Sequence, residues 1–229
     1  MNVFAIGDLH LSSQGKTMDI FGPRWKNHEE RLFERWRRAI RPEDVVLIAG
    51  DCSWALKLRE AVLDLERIGR LPGIKILIRG NHDYWWSSRG KVNSVLPDNM
   101  IAINANAWTQ EDLSIVGTRG WNIPGTSRFD DNDRKIYLRE LNRLRIALDQ
   151  APQEKNRKLV AMLHYPPLTK TIPSSGFTEL LESYQVSVCV YAHLHGEDQN
   201  IAFEGTRNGV TFAFVASDHL GFQPRKIEL

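Results

Sequence analysis

Five short stretches of the 229-residue chain place an aspartate, an asparagine or a histidine directly after an apolar, strand-like run. They read Gly7-Asp8-Leu9-His10, Gly50-Asp51, Arg79-Gly80-Asn81-His82-Asp83, His164-Tyr165-Pro166-Pro167 and Tyr191-Ala192-His193-Leu194-His195-Gly196. An aspartate after a strand often does no more than cap a helix. The recurrence of such blocks in one context is the signal, because ligands of α/β sheets bind at the carboxyl ends of the strands. Carboxylate, imidazole and amide oxygen are donors for hard-to-borderline cations such as Mn²⁺, Fe or Zn²⁺, and no Cys-x-x-Cys block offers a thiolate cage. The i, i+2 spacing of Asp8 and His10, and of His193 and His195, puts each pair on one side of an extended segment. About seven candidate ligands are too many for one tetrahedral ion, so the pattern points to a bridged pair.

The elements that must carry these blocks follow from periodicity. Strands are expected at Val3 to Ile6, Val45 to Ala49 and Ile74 to Ile78, with helices at about His28 to Ile40 and Lys57 to Ile68, a βαβαβ order that predicts parallel strands. A helical stretch near Ser88 to Val95 precedes short strands at Ile101 to Asn104, Ala107 to Thr109 and Ser114 to Gly117. A long helix over Asp131 to Gln150 carries Tyr137, Leu141, Leu144 and Leu148 as an apolar stripe. After it come a strand at Leu159 to Leu163, a helix near Phe177 to Ser183 and strands at Val186 to Val190, Ile201 to Glu204, Val210 to Ala216 and Lys226 to Leu229. Parallel βα units followed by antiparallel hairpins imply an α/β fold of two packed mixed sheets flanked by helices, a four-layer αββα sandwich, in a single domain over 1–229.

Composition sets the outer bounds. Hydrophobic residues make up 42% and charged residues 25%, a globular balance with material for a sizeable core. The net charge of +2 announces neither a nucleic-acid nor a membrane partner. The basic run from Arg31 to Arg38 reads as the solvated side of an amphipathic helix whose Leu32, Trp36 and Ile40 turn inward. No run reaches the roughly 20 apolar residues needed to span a bilayer, and the start of the chain carries no secretory pattern. Two cysteines, Cys52 and Cys189, make no disulfide framework, so a soluble, cytoplasmic protein is expected.

The order Asp-x-His, Gly-Asp, Gly-Asn-His-Asp, His and His-x-His resembles the metallophosphoesterase (calcineurin-like phosphoesterase) superfamily from residue 8 to 196. Within it, the chain is similar to the compact bacterial members that lack a large cap domain. The resemblance implies that Asp8, His10 and His195 hold one divalent ion, that Asn81, His164 and His193 hold the other, and that Asp51 bridges them. Mn²⁺ is the first expectation for the pair, with Fe or Zn²⁺ as the alternatives. His82 would face the substrate as proton donor or transition-state stabiliser, and Asp83 would orient His82 or a ligand from behind, unless it merely caps the turn. Two cations about 3.5–4 Å apart can share a hydroxide of near-neutral pKa and aim it at phosphorus. The leaving alkoxide then needs a proton, which His82 can supply near physiological pH. One departure is visible: the last block of the family usually reads Gly-His-x-His, and here Ala192 stands in place of the glycine.

Substrate choice is expected from arginines and tryptophans near the blocks. Arg24 and Trp25 lie in the loop after the first block, and Arg119 and Trp121 follow a strand end. An arginine there would bind a phosphate and a tryptophan would stack on a base or cover an apolar group; packing of loops over the sheet edges is the competing role of each. The expected substrate is a small or medium phosphorylated molecule, a phosphomonoester or phosphodiester, with no membrane partner. A nuclease is the alternative within the enzymes, disfavoured by the near-neutral charge. A scaffold of the same fold that has lost catalysis is the alternative outside them. Cys52, beside Asp51, reads as a buried filler, and His28 and His219 as surface or core histidines.

Overall fold

A computed structural model describes residues 1–127, 129–152, 154 and 157–229. The chain divides into two compact units, residues 1–102 with 215–228, and residues 103–214 with Leu229. Each unit is built on one mixed sheet with helices, the α/β class read from the sequence.

In the first unit the strand order is β11 (Arg225–Ile227), β1 (Val3–Ile6), β2 (Val45–Ile48), β3 (Ile74–Leu77) and β4 (Met100–Ala102). The four strands β1 to β4 are parallel, as βαβ crossovers require, and β11 returns antiparallel to β1. Every residue of β1 and β2 is buried, which explains why their sequences are apolar runs rather than alternating patterns. Helix α1 (His28–Ala39) starts on Glu29 and Glu30 and ends on Arg37 and Arg38, charges that complement the helix dipole at both ends. It lays Leu32 and Trp36 into a core with Phe4, Ile6, Val46, Ile48 and Leu77, and the Trp36 indole donates to the Pro72 carbonyl at 3.0 Å. Helix α2 (Leu58–Gly69) adds Ala61, Leu65 and Ile68 to the same core. A short α3 (Arg89–Asn93) leads into β4.

In the second unit the order is β5 (Asn106–Gln110), β6 (Leu113–Thr118), β7 (Lys158–Leu163), β8 (Val188–Tyr191), β10 (Val210–Phe214) and β9 (Gly205–Arg207). The expected antiparallel hairpins are confined to β5–β6 and β9–β10. The pairs β6–β7, β7–β8 and β8–β10 are parallel; crossovers through α4 (Asp131–Gln150) and α5 (Gly176–Ser183) return the chain in the same direction for the first two, and the 3-10 turn Gly196–Ile201 and β9 lie between the strands of the third. A reciprocal cap between Asp130 and Asp133 starts α4, which buries Tyr137, Leu144, Ala147 and Leu148 together with Glu140. That buried carboxylate is met by the Thr118 hydroxyl, by Arg143 at 2.6 Å and by Arg119 at 3.7 Å.

The strand expected at Ile201 to Glu204 is a correction. Gly196–Ile201 forms a 3-10 turn, Ala202 makes a single bridge to Thr169, and the strand begins only at Gly205. The reason lies in Asn208-Gly209, both at positive φ (47° and 84°), a two-residue hairpin turn that pairs Arg207 with Val210 and so draws the strand toward itself. Among the described residues no helix is long and apolar enough to cross a membrane.

Lys75 in β3 is fully buried, and its ammonium donates to the carbonyls of Gly69 and Leu71 at the end of α2. Burial lowers its pKa to about 8. The unfolded chain therefore binds more protons than the folded one between about pH 8 and the ordinary lysine value, and stability contributed at this position rises with pH across that window. Relative to Lys75→Met, the metal-free wild-type protein is expected to gain unfolding free energy between about pH 8 and 10, measured by urea denaturation of both proteins.

Candidate metal centre

The first three blocks lie on loops that continue the pairing of the strands after the strands themselves have ended. Asp8 N–H donates to the Gly50 carbonyl at 2.9 Å, His10 N–H to Asp51 at 2.9 Å and Leu11 N–H to Cys52 at 3.0 Å. The loop after β1 is thus sewn to the loop after β2. On the other side of β1, Gly7 donates to Val215, and Ser217 returns bonds to the Gly7 carbonyl from its N–H and its hydroxyl. This irregular path forces Asp8, His10 and Asp51 to φ values of 57°, 46° and 52°, a region that costs a non-glycine residue of order 1–3 kcal/mol. Strain of this kind persists where surrounding bonds over-determine it, and it gathers at functional sites.

Asp83 supplies much of that determination. Its fully buried carboxylate accepts the N–H groups of Gly80 (2.7 Å), Asp51 (2.9 Å), Cys52 (2.8 Å) and Ser53 (3.3 Å) and the Trp85 indole (3.0 Å). The residue holds the Asp51 loop from behind. In the same bracing, the His82 N–H donates to Asp51 Oδ1 at 2.8 Å. Burial and the neighbouring Asp51 charge push the Asp83 carboxyl up to about 7, against the pull of its N–H donors.

A second buried carboxylate, Asp64 on α2, escaped the sequence reading. It accepts Ser13 N–H at 2.9 Å, the Ser13 hydroxyl at 2.5 Å and the Ser53 hydroxyl at 2.5 Å, and Arg67 lies at 3.4 Å. Its signal was available, since an aspartate between Ala61 and Leu65 on the inward face of α2 needs a partner. Asp64 joins the loop after the first block to the loop after the second.

Within the first unit, Asp8 offers a carboxylate oxygen within 4.8 Å of a His10 nitrogen and of an Asp51 oxygen. His10 Nε2 stands 3.8 Å from Asp51 Oδ2. The His10 ring is stacked on Trp54 (centroids 4.8 Å, 22°), edge-on to Trp25 at 5.7 Å and 5.7 Å from His82. His28 is a core histidine: buried, with its pKa lowered by that burial, it bonds the His10 carbonyl at 3.3 Å. The Cys52 thiol is held well above its ordinary range, first by burial and then by Asp83, Asp51, Asp8 and Asp64, so it is no nucleophile. Four carboxylates crowded round one buried thiol describe a place of strongly negative potential. The donor set of carboxylates and imidazoles that Asp8, His10 and Asp51 present fits a divalent cation.

In the second unit His164 follows β7 and His193 follows β8. Backbone bonds from His164 and Tyr165 to the Arg119 carbonyl, and from Ala192 to His164, align the three strand ends. The imidazoles of His164 and His193 turn to one point, with Nε2 and Nδ1 3.2 Å apart, and Tyr165 packs on His193 at 4.0 Å. Ala192 is buried without positive φ; the left-handed residues in this block are His193 at 77° and Gly196 at 56°. An alanine therefore meets the backbone demand at 192. His195 stands at the start of the 3-10 turn Gly196–Ile201.

The four residues expected to meet substrate are placed unequally. Trp25 is 3% exposed and forms a wall behind His10 and His28. Arg24 is half exposed and lies 3.5 Å from Asp218. Arg119 spans Glu140 and the Trp121 ring (4.4 Å), and the Trp121 indole donates to Asp133 at 2.7 Å.

A model of the calcineurin-like phosphoesterase family matches residues 1–197. Among solved structures, the chain is similar to a protein of unknown function, AQ665, from Aquifex aeolicus, at 16% identity over 98% of this chain and 95% of that one, with a TM-score of 0.55. It is also similar to TT1561 of Thermus thermophilus, at 11% identity over 93% and 88% of the two chains, with a TM-score of 0.53. These likenesses show the fold. No curated protein matches the chain.

Gly80 is where the bracing is tightest. A Cβ on it would lie 2.0 Å from Asp51 Oδ1 and 2.3 Å from the Asp51 nitrogen. Gly80→Ala is expected to lower unfolding free energy by about 1–3 kcal/mol, the usual range of overpacking. Chemical denaturation measures the loss, and amide chemical shifts of 50–53 should move most.

Proposed function

The chain belongs to the calcineurin-like phosphoesterase family, and from that premise we propose that it hydrolyses a phosphomonoester or phosphodiester of a small or medium molecule with the help of two divalent ions, Mn²⁺ foremost. The observation that carries the reading is the convergence of Asp8, His10 and Asp51 on strained, cross-bonded loops, where carboxylate and imidazole donors lie within 4.8 Å of Asp8. In this reading Asp8, His10 and His195 hold one ion, Asn81, His164 and His193 the other, and Asp51 serves both. Such a pair, when bound, supplies Lewis acidity toward the phosphoryl oxygens and lowers the pKa of a water to near neutrality.

The protein's own groups do the remainder. Asp51 is held by its backbone to Asp83, so its side chain need not reorganise on loading. His82, half-buried and packed beside Trp54 (4.7 Å), donates a proton to the ester oxygen as its bond to phosphorus breaks and water supplies the new P–O bond. The two free, buried cysteines fit the reducing cytoplasm that we propose as its compartment.

The decisive experiment is a screen of metal-reconstituted protein against p-nitrophenyl phosphate, bis-p-nitrophenyl phosphate and a nucleotide panel; absence of turnover with every divalent metal overturns the proposal. Asp51→Asn is expected to lose bound metal and activity together by elemental analysis and assay, and a variant that keeps both removes Asp51 from its bridging role. His82→Ala should retain metal while turnover of substrates with poor leaving groups drops about 10²–10⁴-fold. Unchanged turnover would exclude His82 as the acid.

A further inference from the structure

Trp54 is the aromatic residue that touches both the proposed ligand His10 and the proposed acid His82. His10 covers one face of its ring. The Lys16 ammonium lies 3.2 Å from the ring centroid. Phe21 runs parallel to the indole at 6.4 Å and 10°, and Tyr84 stands edge-on to His82 at 6.1 Å. Phe21 and Tyr84 are 58% and 56% exposed, and Ile20 and Leu56, close by in the loops of Phe21 and Trp54, are more exposed still. These exposed apolar groups sit in the three loops that follow the first three blocks. Exposed rings next to a phosphoryl-transfer site are a stacking platform, since every nucleobase has a π face.

We propose that Trp54, Phe21 and Tyr84 form the leaving-group subsite of this enzyme, that it takes a nucleobase stacked on Trp54, and that Lys16 is the cation that then pairs with the substrate's phosphate. This rests on the phosphoesterase reading above. The relative strengths favour the exchange. An exposed cation–π contact contributes about two- to fivefold in affinity. Stacking of a base on an aromatic side chain contributes about five- to 150-fold, so a base displaces the ammonium from the ring. Lys16 itself lines a cavity of about 320 Å³ with Ser12, Thr17, Trp25 and Glu30, space into which its side chain can turn. The released ammonium then compensates the charge of the phosphate.

Calorimetric titration of the protein, as purified and after Mn²⁺ addition, with adenosine 5′-monophosphate, ribose 5-phosphate and butyl phosphate tests the subsite without relying on turnover. The adenosine nucleotide is expected to bind about tenfold or more tightly than ribose 5-phosphate. Trp54→Phe should keep a reduced preference, while Trp54→Ala and Phe21→Ala should bring it below about threefold. Lys16→Met should weaken the adenosine nucleotide more than ribose 5-phosphate or butyl phosphate, neither of which displaces the lysine from the ring. Equal affinities for the nucleotide and ribose 5-phosphate, or butyl phosphate binding as tightly as the nucleotide, overturn the subsite. The two readings fail separately: turnover with equal affinities removes the subsite alone, and a Trp54-dependent nucleotide preference without turnover removes the hydrolase alone.

Discussion

Five N–H groups converge on one buried carboxylate, that of Asp83, and four of them are backbone donors from the two loops that follow β2 and β3. An anion removed from water is tolerated only when such donors replace its hydration. The requirement runs both ways, because the loops can satisfy the carboxylate only in one conformation. That conformation holds Asp51 in the left-handed region and leaves Gly80 no room for a side chain. The rest of the first unit's site is built against this clamp.

Around it, bonding between adjacent loops extends the order of the sheet past its strands. Asp8, His10 and Leu11 continue the ladder of β1 and β2, Ser217 closes on Gly7 from the other side, and Asp64 joins Ser13 to Ser53. Rigid support of this kind keeps several carboxylates close together. The chemistry the family performs needs that arrangement: a preformed anionic nest loads a cation without having to reorganise.

The second unit solves a smaller problem in another way. Two histidines at adjacent strand ends are brought to 3.2 Å by regular parallel pairing, with His193 alone of the two taking a strained φ. Tyr165 packs on His193 and Trp121 on Tyr165, so the imidazole is held by ring contacts where the first unit uses hydrogen bonds. The alanine at 192 belongs to this economy, since its backbone is an ordinary one.

The order of elements, both long helices of the first unit, α4 to its ends, and the residues that form the chemical blocks were legible in the amino-acid sequence. Each rests on local information: an apolar run, a 3.6-residue stripe, a Gly-Asp or His-x-His pattern at a strand end. Family membership followed from the same blocks. Where pairing was set by a turn, as at Asn208-Gly209, apolar content misplaced the strand by a few residues. Where function depended on which distant groups meet, the chain order was silent. Nothing local links Asp83 to Cys52, Asp64 to Ser13 or His28 to the His10 carbonyl, and nothing local turns Trp25 inward while leaving Phe21 and Tyr84 in solvent. Residue type and spacing determined which donors the protein has; tertiary structure decided their conformation and partners, because a buried carboxylate takes its hydrogen bonds from whatever backbone the fold brings within about 3 Å.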